Sequence, residues 1–518
     1  MSVAKKAGYA AAALFLRKCW TSVLSLTVVA YLVSTLGTEA YGILAIASVI
    51  LSLIQVLAVS GVSEFVIFSR GTSEDQAEAE NAAFWFNAFG SLVVVVVGCL
   101  VAPLVAIFYD DPRYTTILWI MLAGFFGSMI GSIPKALYRK KIDYGPLVAV
   151  ETIQLTTVSL GQVVLAWQGF GIYSLVLPSA VVAPIVAWIF IKRSPLRLLN
   201  TFGVHRWPSI FSYTKHIIGS RVLTRLANEG DYLVLGAALE KSAVGLYSLA
   251  YRMSSILFLS LTPVVADVSL PVFARSSNSP RLLFLRYTKM LSLIMFVMFP
   301  LLGILFVVAK PASVAIYGPK ESEGMALLVQ ILIIGVIGRC VSSPTGGLFN
   351  ATGRPHIPLY FVCVFTPIFL GILLFTSQFG LVPAAITVAA SFTVGQLVQT
   401  WLVARIVLKV RFRTILGQIS RYLVPTLVAS AAGLLSFQFV DYEGILAGVP
   451  FFQERLEGAL AVFHGAVIVL IVYGIVFRLG AAAEIRRLSK LCYSINPTLG
   501  RCSRILQWPG TAAAKTNR

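Results

Sequence analysis

Arginines and acids crowd one stretch of an otherwise apolar segment: His216-Ile-Ile-Gly-Ser-Arg221-Val-Leu-Thr-Arg225-Leu-Ala-Asn228-Glu229-Gly-Asp231-Tyr232. With Arg221 at zero and ~100° per helical residue, Arg225 falls at ~40°, Glu229 at ~80°, Asn228 at ~−20° and Tyr232 at ~20°. These five side chains share one stripe, which must face a partner helix or a wet cavity rather than lipid. Two chemistries fit. Arg225 and Glu229, at i,i+4, form an ion ladder that holds a bundle together. Alternatively, Arg221 and Arg225 present planar charged donors to an anionic group such as phosphate, with Glu229 or Asp231 tuning or releasing it. The ladder leaves Arg221 unexplained, because no acid stands at helical spacing from it.

Further ionisable residues lie in apolar surroundings: Glu151, Arg252, Asp267 and Arg339. A charge at the centre of a bilayer costs about 2.5–3.5 kcal/mol on insertion scales, so each marks a candidate site. Arg252 and Arg339 are candidate substrate groups. Glu151, Asp267, Glu229 and Asp231 are candidate ion carriers, or partners of arginines on other helices. No G-x-S-x-G, G-x-x-x-x-G-K-[ST] or H-E-x-x-H occurs, so no catalytic residue is assigned. The cysteines Cys19, Cys99, Cys340, Cys363, Cys492 and Cys502 have no metal-binding spacing. No metal or cofactor is expected.

The elements that position these groups follow from composition. Of 518 residues, 58% are hydrophobic and 12% charged. A soluble domain carries about 25% charged residues, so this chain lacks the polar surface to cover itself in water. Runs of about 20 apolar residues, each enough to cross a ~30 Å hydrocarbon layer, recur about fourteen times. They lie near 12–34, 40–62, 84–108, 115–137, 147–167, 172–191, 217–239, 245–272, 284–309, 325–349, 358–377, 380–404, 422–440 and 459–477. The fold class is an all-α polytopic membrane protein. Lys5 and Lys6 open the chain like a secretory leader, but Arg17 and Lys18 interrupt the run and no small-x-small cleavage site follows, so the first helix is retained.

The net charge of +20 is explained by topology. Lys5, Lys6, Lys135, Arg139, Lys140, Lys141, Lys192, Arg193, Arg405, Lys409, Arg411, Arg413 and the C-terminal tail fall on one side of the alternating spans. The other side holds only Arg113, Lys241, Lys310, Lys320 and Arg455. Short-loop basic residues stay cytoplasmic, which puts both termini in the cytoplasm, with anionic lipid headgroups as neighbours. Nucleic acid is not a partner. Ser73–Glu80 is acidic and opens with a Ser-x-x-Gln capping box, so it reads as a short, solvated connector helix at the membrane face.

A shift of 203 positions aligns Leu36-Gly-Thr-Glu-Ala-Tyr-Gly42 with Leu239-Glu-Lys-Ser-Ala-Val-Gly245, and sets Lys18 over Arg221 and Thr21 over Thr224. The repeat divides the chain into six-helix lobes over 1–200 and 201–415, two further spans over 416–480, and a basic cytoplasmic tail over 481–518. Repeat-built transporters place the substrate between their halves near the midplane.

Several motifs carry a family resemblance. Leu36-Gly-Thr-Glu-Ala-Tyr-Gly42 resembles the "LGPxxYG" turn, Phe84-Trp85-Phe86-Asn87 the "FWxN" start of the third helix, and Ala102-Pro103 through Pro112 the "APxxAxFYxxP" of bacterial polysaccharide-export flippases. Gly245-Leu-Tyr-Ser-Leu-Ala-Tyr-Arg252 and Gly338-Arg339 through Gly353-Arg354-Pro355 fit the second half. Over roughly residues 10–440 the chain resembles the Wzx-type oligosaccharide flippases of the MOP superfamily. That resemblance implies two six-helix lobes around a cationic cavity, and passage of an undecaprenyl-pyrophosphate-linked oligosaccharide to the outer leaflet by alternating access. The product would serve exopolysaccharide or lipopolysaccharide synthesis, with a polysaccharide polymerase or co-polymerase as a further partner. It also implies that Arg221, Arg225, Arg252 and Arg339 contact the pyrophosphate or acidic sugars, with Asn228 beside them. Glu229 and Asp231 make the stripe less cationic than a simple phosphate clamp requires.

Three rival readings remain. A multidrug exporter of the same superfamily would carry membrane acids in its first lobe, where this chain offers Glu151. A lipid II flippase shares the mechanism and differs in the sugar. A non-transporting assembly scaffold has no reason to bury Arg221 and Arg225 together.

Overall fold

The computed structural model describes residues 3–59, 61–69, 72–141, 144–194, 196, 198–199, 201–276, 279–319, 322, 324–440 and 453–480. Among them every regular element is a helix. The first stretch runs α1 (Val3–Val59), α2 (Val62–Phe68), α3 (Ser73–Phe108), α4 (Arg113–Ile130), α5 (Ser132–Lys140), α6 (Tyr144–Trp167), α7 (Leu177–Arg193), α8 (Trp207–Ala238) and α9 (Lys241–Ala274). It continues with α10 (Pro280–Val307), α11 (Ala309–Tyr317), α12 (Met325–Ser342), α13 (Thr345–Ala351), α14 (His356–Ser377), α15 (Leu381–Leu402), α16 (Phe412–Ser436) and α17 (Gln453–Gly480).

Eleven segments among the described residues are long and apolar enough to cross a membrane. The exact number of fourteen is therefore not established. The two expected N-terminal spans are fused in α1, which bends where Gly37 takes φ 74°, a value glycine adopts without steric penalty. The polar stripe of α8 keeps that 32-residue helix outside the apolar set. Pro344 ends α12 and caps α13, whereas Pro103, Pro184, Pro300, Pro367 and Pro425 lie inside helices. Apolar side chains on α3 turn outward, with Leu100 and Ile107 at 70% and 76% exposure. A surface of that kind is stable only against acyl chains. The chain is a multi-pass membrane protein.

The helices gather into two compact units. One comprises Met1–Leu249 and Val362–Thr387. In it α1 packs on α6 and α8, while α4 packs on α3 and α7. The α4–α7 seam is built from small residues: Cβ atoms on Gly124, Gly127 and Gly131 would press on Ala180, Pro184 and Ala187. Close backbone approach of this kind is a main source of helix adhesion in lipid. The other unit comprises Ala250–Phe361 and Val388–Arg518. There α10, α16 and α17 pack together, with α11 and α12 against them.

One contact in the first unit is reciprocal. A Cβ on Gly42 of α1 would collide with the Lys241 carbonyl oxygen of α9, and one on Gly245 would collide with the Thr38 carbonyl oxygen. Each such Cβ also stands 3.0 Å from the other glycine's nitrogen. Thr38 and Lys241, like Gly42 and Gly245, are 203 positions apart. The contact is thus reciprocal between the two segments that the 203-position shift aligns.

The acidic segment departs from expectation. It is the first turns of α3 itself, continuous with the membrane helix, and its cap is Thr72, whose hydroxyl accepts from the Asp75 amide at 3.3 Å. Glu78 and Glu80 are paired rather than simply solvated. Glu78 accepts from Arg206 at 2.6 Å and meets His205 at 3.0 Å, and Glu80 accepts from Lys140 at 3.1 Å. Buried Asn81 donates to the Thr201 carbonyl at 2.6 Å and accepts from the Leu199 amide at 3.1 Å. Positive charge in the connector before α8 draws it onto the negative start of α3, where acids also complement the helix dipole.

Candidate functional site

Helix α8 presents the stripe as its helical spacing predicts, and tertiary contacts decide what each member does. Arg221 donates from Nη2 to Glu64 Oε1 of α2 at 2.5 Å. Arg225 donates to Glu229 one turn on, and Ser52 of α1 donates to the other oxygen of Glu229 at 2.6 Å. Asn228 donates to the Thr224 carbonyl at 2.7 Å. The pairs are open to the outside: Arg221 and Arg225 side chains are 45% and 49% exposed, against 36% for Glu64 and 27% for Glu229. A guanidinium has five N–H donors, and each of these carboxylates engages one. The face therefore keeps charged donors available.

Asp231 belongs to a different environment. It is fully buried and accepts from the Tyr247 hydroxyl of α9 at 2.6 Å, while the Tyr232 and Tyr247 rings meet edge-on at 5.4 Å. It ties α8 to α9.

Glu151 of α6 accepts from Arg17 of α1 and lies 3.9 Å from Lys135 of α5, so two cations share one carboxylate. In the second unit, Arg339 donates from Nη1 to the Tyr251 hydroxyl at 2.5 Å, and its guanidinium sits 4.9 Å from the centroids of both Phe258 and Phe392. Such a sandwich suits the flat arginine head. Arg252 is exposed on α9 of the same unit. The Asp267 side chain lies outside the described residues.

Sequence reasoning missed Glu64 and Ser52. Glu64 is the lone acid in Val62-Ser-Glu-Phe-Val-Ile-Phe68, an apolar run that spacing alone places past the end of the second span. Its isolation among apolar residues was the available signal.

A second charged group closes the far end of the first unit. Asp111, only 4% exposed, is gripped by Arg113 Nε at 3.0 and 3.1 Å and by Lys241 Nζ at 2.8 Å, and Arg113 also reaches Glu39 at 2.5 Å. Burial pushes the Asp111 carboxyl upward, but the hydrogen bonds from Arg113 and Lys241 outweigh it and hold the pKa at about 2. A cavity of about 520 Å³ lies alongside, lined by Glu39, Tyr109, Asp110, Glu240 and Lys241 among others.

Solved structures share this fold. The lipid II flippase MurJ, in its inward closed conformation, overlays at a TM-score of 0.71 over 91% of this chain and 99% of that one, with 14% identity. An inward-facing multidrug resistance MATE family transporter of the MOP superfamily overlays at 0.59 over 78% and 95%, with 15% identity. The family follows from sequence: the chain belongs to the family described as polysaccharide biosynthesis protein, whose profile matches residues 29–323. It is similar to the teichuronic acid biosynthesis protein TuaB of Bacillus subtilis (strain 168), 24% identical over 409 residues, covering 75% of this chain and 79% of that protein. It is also similar to the lipopolysaccharide biosynthesis protein WzxC of Escherichia coli (strain K12), 23% identical over 390 residues, covering 73% and 76%.

Proposed function

We propose that this protein is a flippase carrying a polyprenyl-diphosphate-linked oligosaccharide from the inner to the outer leaflet of the bacterial cytoplasmic membrane. The observation that carries the reading is the pair of half-exposed guanidinium groups, Arg221 and Arg225, on one face of α8. A hydrated anionic headgroup does not cross hydrocarbon without a polar path, because desolvating its charge is too costly. Arginine forks on a membrane helix supply that path, and the polyprenyl tail stays in lipid. Family membership and relatives in teichuronic acid and lipopolysaccharide biosynthesis support a saccharide cargo.

In this reading residues 1–200 and 201–415 act as two lobes that rock about the cargo, with 416–480 as added spans and 481–518 as a cytoplasmic tail. Both termini are cytoplasmic, and the protein performs no covalent chemistry. Asn228, Arg252 and Arg339 add donors to the substrate path. Glu229, Glu151, Asp231 and Asp267 are the acids through which an ion gradient would act, and a polymerase would receive the product. The test is Arg221→Ala and Arg225→Ala, followed by surface polysaccharide and by the amount of inserted protein. Loss of polymer at unchanged abundance supports the reading, and full output from both variants contradicts it.

A further inference from the structure

Both stripe arginines are already engaged by carboxylates. Glu64 holds Arg221 from α2, and Glu229 holds Arg225 from within α8. We propose that Glu64 and Glu229 are built-in counter-anions, which occupy the two arginines when no cargo is bound, yield them to the diphosphate, and reclaim them on release. The inference rests on the reading above and adds how the same site lets go.

Charge balance favours the exchange. Two guanidinium groups and two carboxylates leave the empty stripe neutral, and a diphosphate diester also carries two negative charges. Without resident acids, the empty protein would reorient with two unpaired arginines facing the membrane interior, which is unfavourable. With them, the empty and loaded states both have paired arginines.

Geometry favours it as well. Each pair is partly exposed, and partly solvated pairs are weak enough to break. Neither carboxylate is stranded afterwards. Glu229 keeps the Ser52 hydroxyl at 2.6 Å, and Glu64 is 36% exposed. A fully buried acid with fixed donors would not serve. Asp231, buried against Tyr247, is that kind of acid and takes no part in the exchange.

The two roles open to Glu64 predict opposite signs. If it merely orients Arg221 for the cargo, removing its charge weakens binding. If it competes with the cargo, removing its charge strengthens binding. The test uses the full-length protein in nanodiscs with undecaprenyl diphosphate as the probe. Glu64→Gln and Glu229→Gln are each expected to bind the probe about fivefold more tightly, which corresponds to removing a pair worth about 1 kcal/mol. In vesicles carrying the lipid-linked cargo, both should also turn over more slowly than wild type, because release becomes limiting. Unchanged or weaker probe binding by both variants overturns the proposal. If Glu229→Gln fails to insert, Glu64→Gln decides alone. Arg221→Ala and Arg225→Ala separate the two levels: loss of probe binding there, with no gain in the glutamine variants, defeats the exchange and leaves the flippase reading standing. Wild-type probe binding by the alanine variants defeats both.

Discussion

Gly42 and Gly245, 203 positions apart, touch backbone to backbone. The first turns of α9 are thereby held against α1 with no side chain between them. Both helices cross where nothing larger than hydrogen fits. We expect Gly42→Ala and Gly245→Ala each to destabilise the detergent-purified protein by about 1–3 kcal/mol, since the added methyl must push a carbonyl aside. Thermal unfolding followed by a thiol-reactive dye measures this. Gly219→Ala, on a helix with open space at that position, serves as the control and should be neutral or stabilise by up to about 1 kcal/mol.

The Asp111 group locks the same end. Its carboxyl is held at about 2, below the ordinary value of 3.8. A depressed carboxyl contributes stability that is complete above the unfolded pKa and is lost as pH falls through the folded one. The contribution, of order 1–2 kcal/mol, should therefore be present at pH 6 and disappear between about pH 4 and pH 2. Asp111→Asn should lower the melting temperature at pH 6 and remove the acid-side decline, and the two melting curves against pH check both statements.

Arg339 is clamped between Phe258 and Phe392 and bonded to Tyr251. A planar guanidinium stacks on two rings in a way that an ammonium does not. Arg339→Lys should therefore behave more like Arg339→Gln than like wild type, with polymer output down severalfold in both. Surface polysaccharide normalised to protein abundance is the readout, and rescue by lysine would show that charge alone matters there.

Asn81 satisfies two backbone groups of the connector before α8 with both ends of its amide. Buried backbone groups left without partners cost about 1–3 kcal/mol. Asn81→Ala should loosen the connector, raising proteolysis between residues 194 and 206, while Asn81→Asp should lose the donor half only and fall between.

The α8 stripe was legible because one helix fixes the relative angles of Arg221, Arg225, Asn228 and Glu229 by covalent spacing. Glu64 was not, because its partnership with Arg221 joins residues 157 positions apart and depends on how α2 packs. Asp231 stood next to the stripe in sequence, yet its burial against Tyr247 came only with α9 in place. The fused α1 shows a similar limit: apolar length announced two spans, but the bend that separates them resides in a single φ at Gly37. The acidic start of α3 was visible as charge, while its basic partners Arg206 and Lys140 lay on distant elements. The 203-position shift sets Thr38 over Lys241 and Gly42 over Gly245, but that these four residues meet depends on how α1 and α9 pack.

The most direct measurement reconstitutes the purified protein in proteoliposomes with an undecaprenyl-diphosphate-linked oligosaccharide in the inner leaflet, and follows its arrival outside with a membrane-impermeant sugar-modifying enzyme. The account predicts protein-dependent transfer by wild type and background transfer by the Arg221→Ala, Arg225→Ala double variant at equal protein content. Equal rates for both proteins would contradict it.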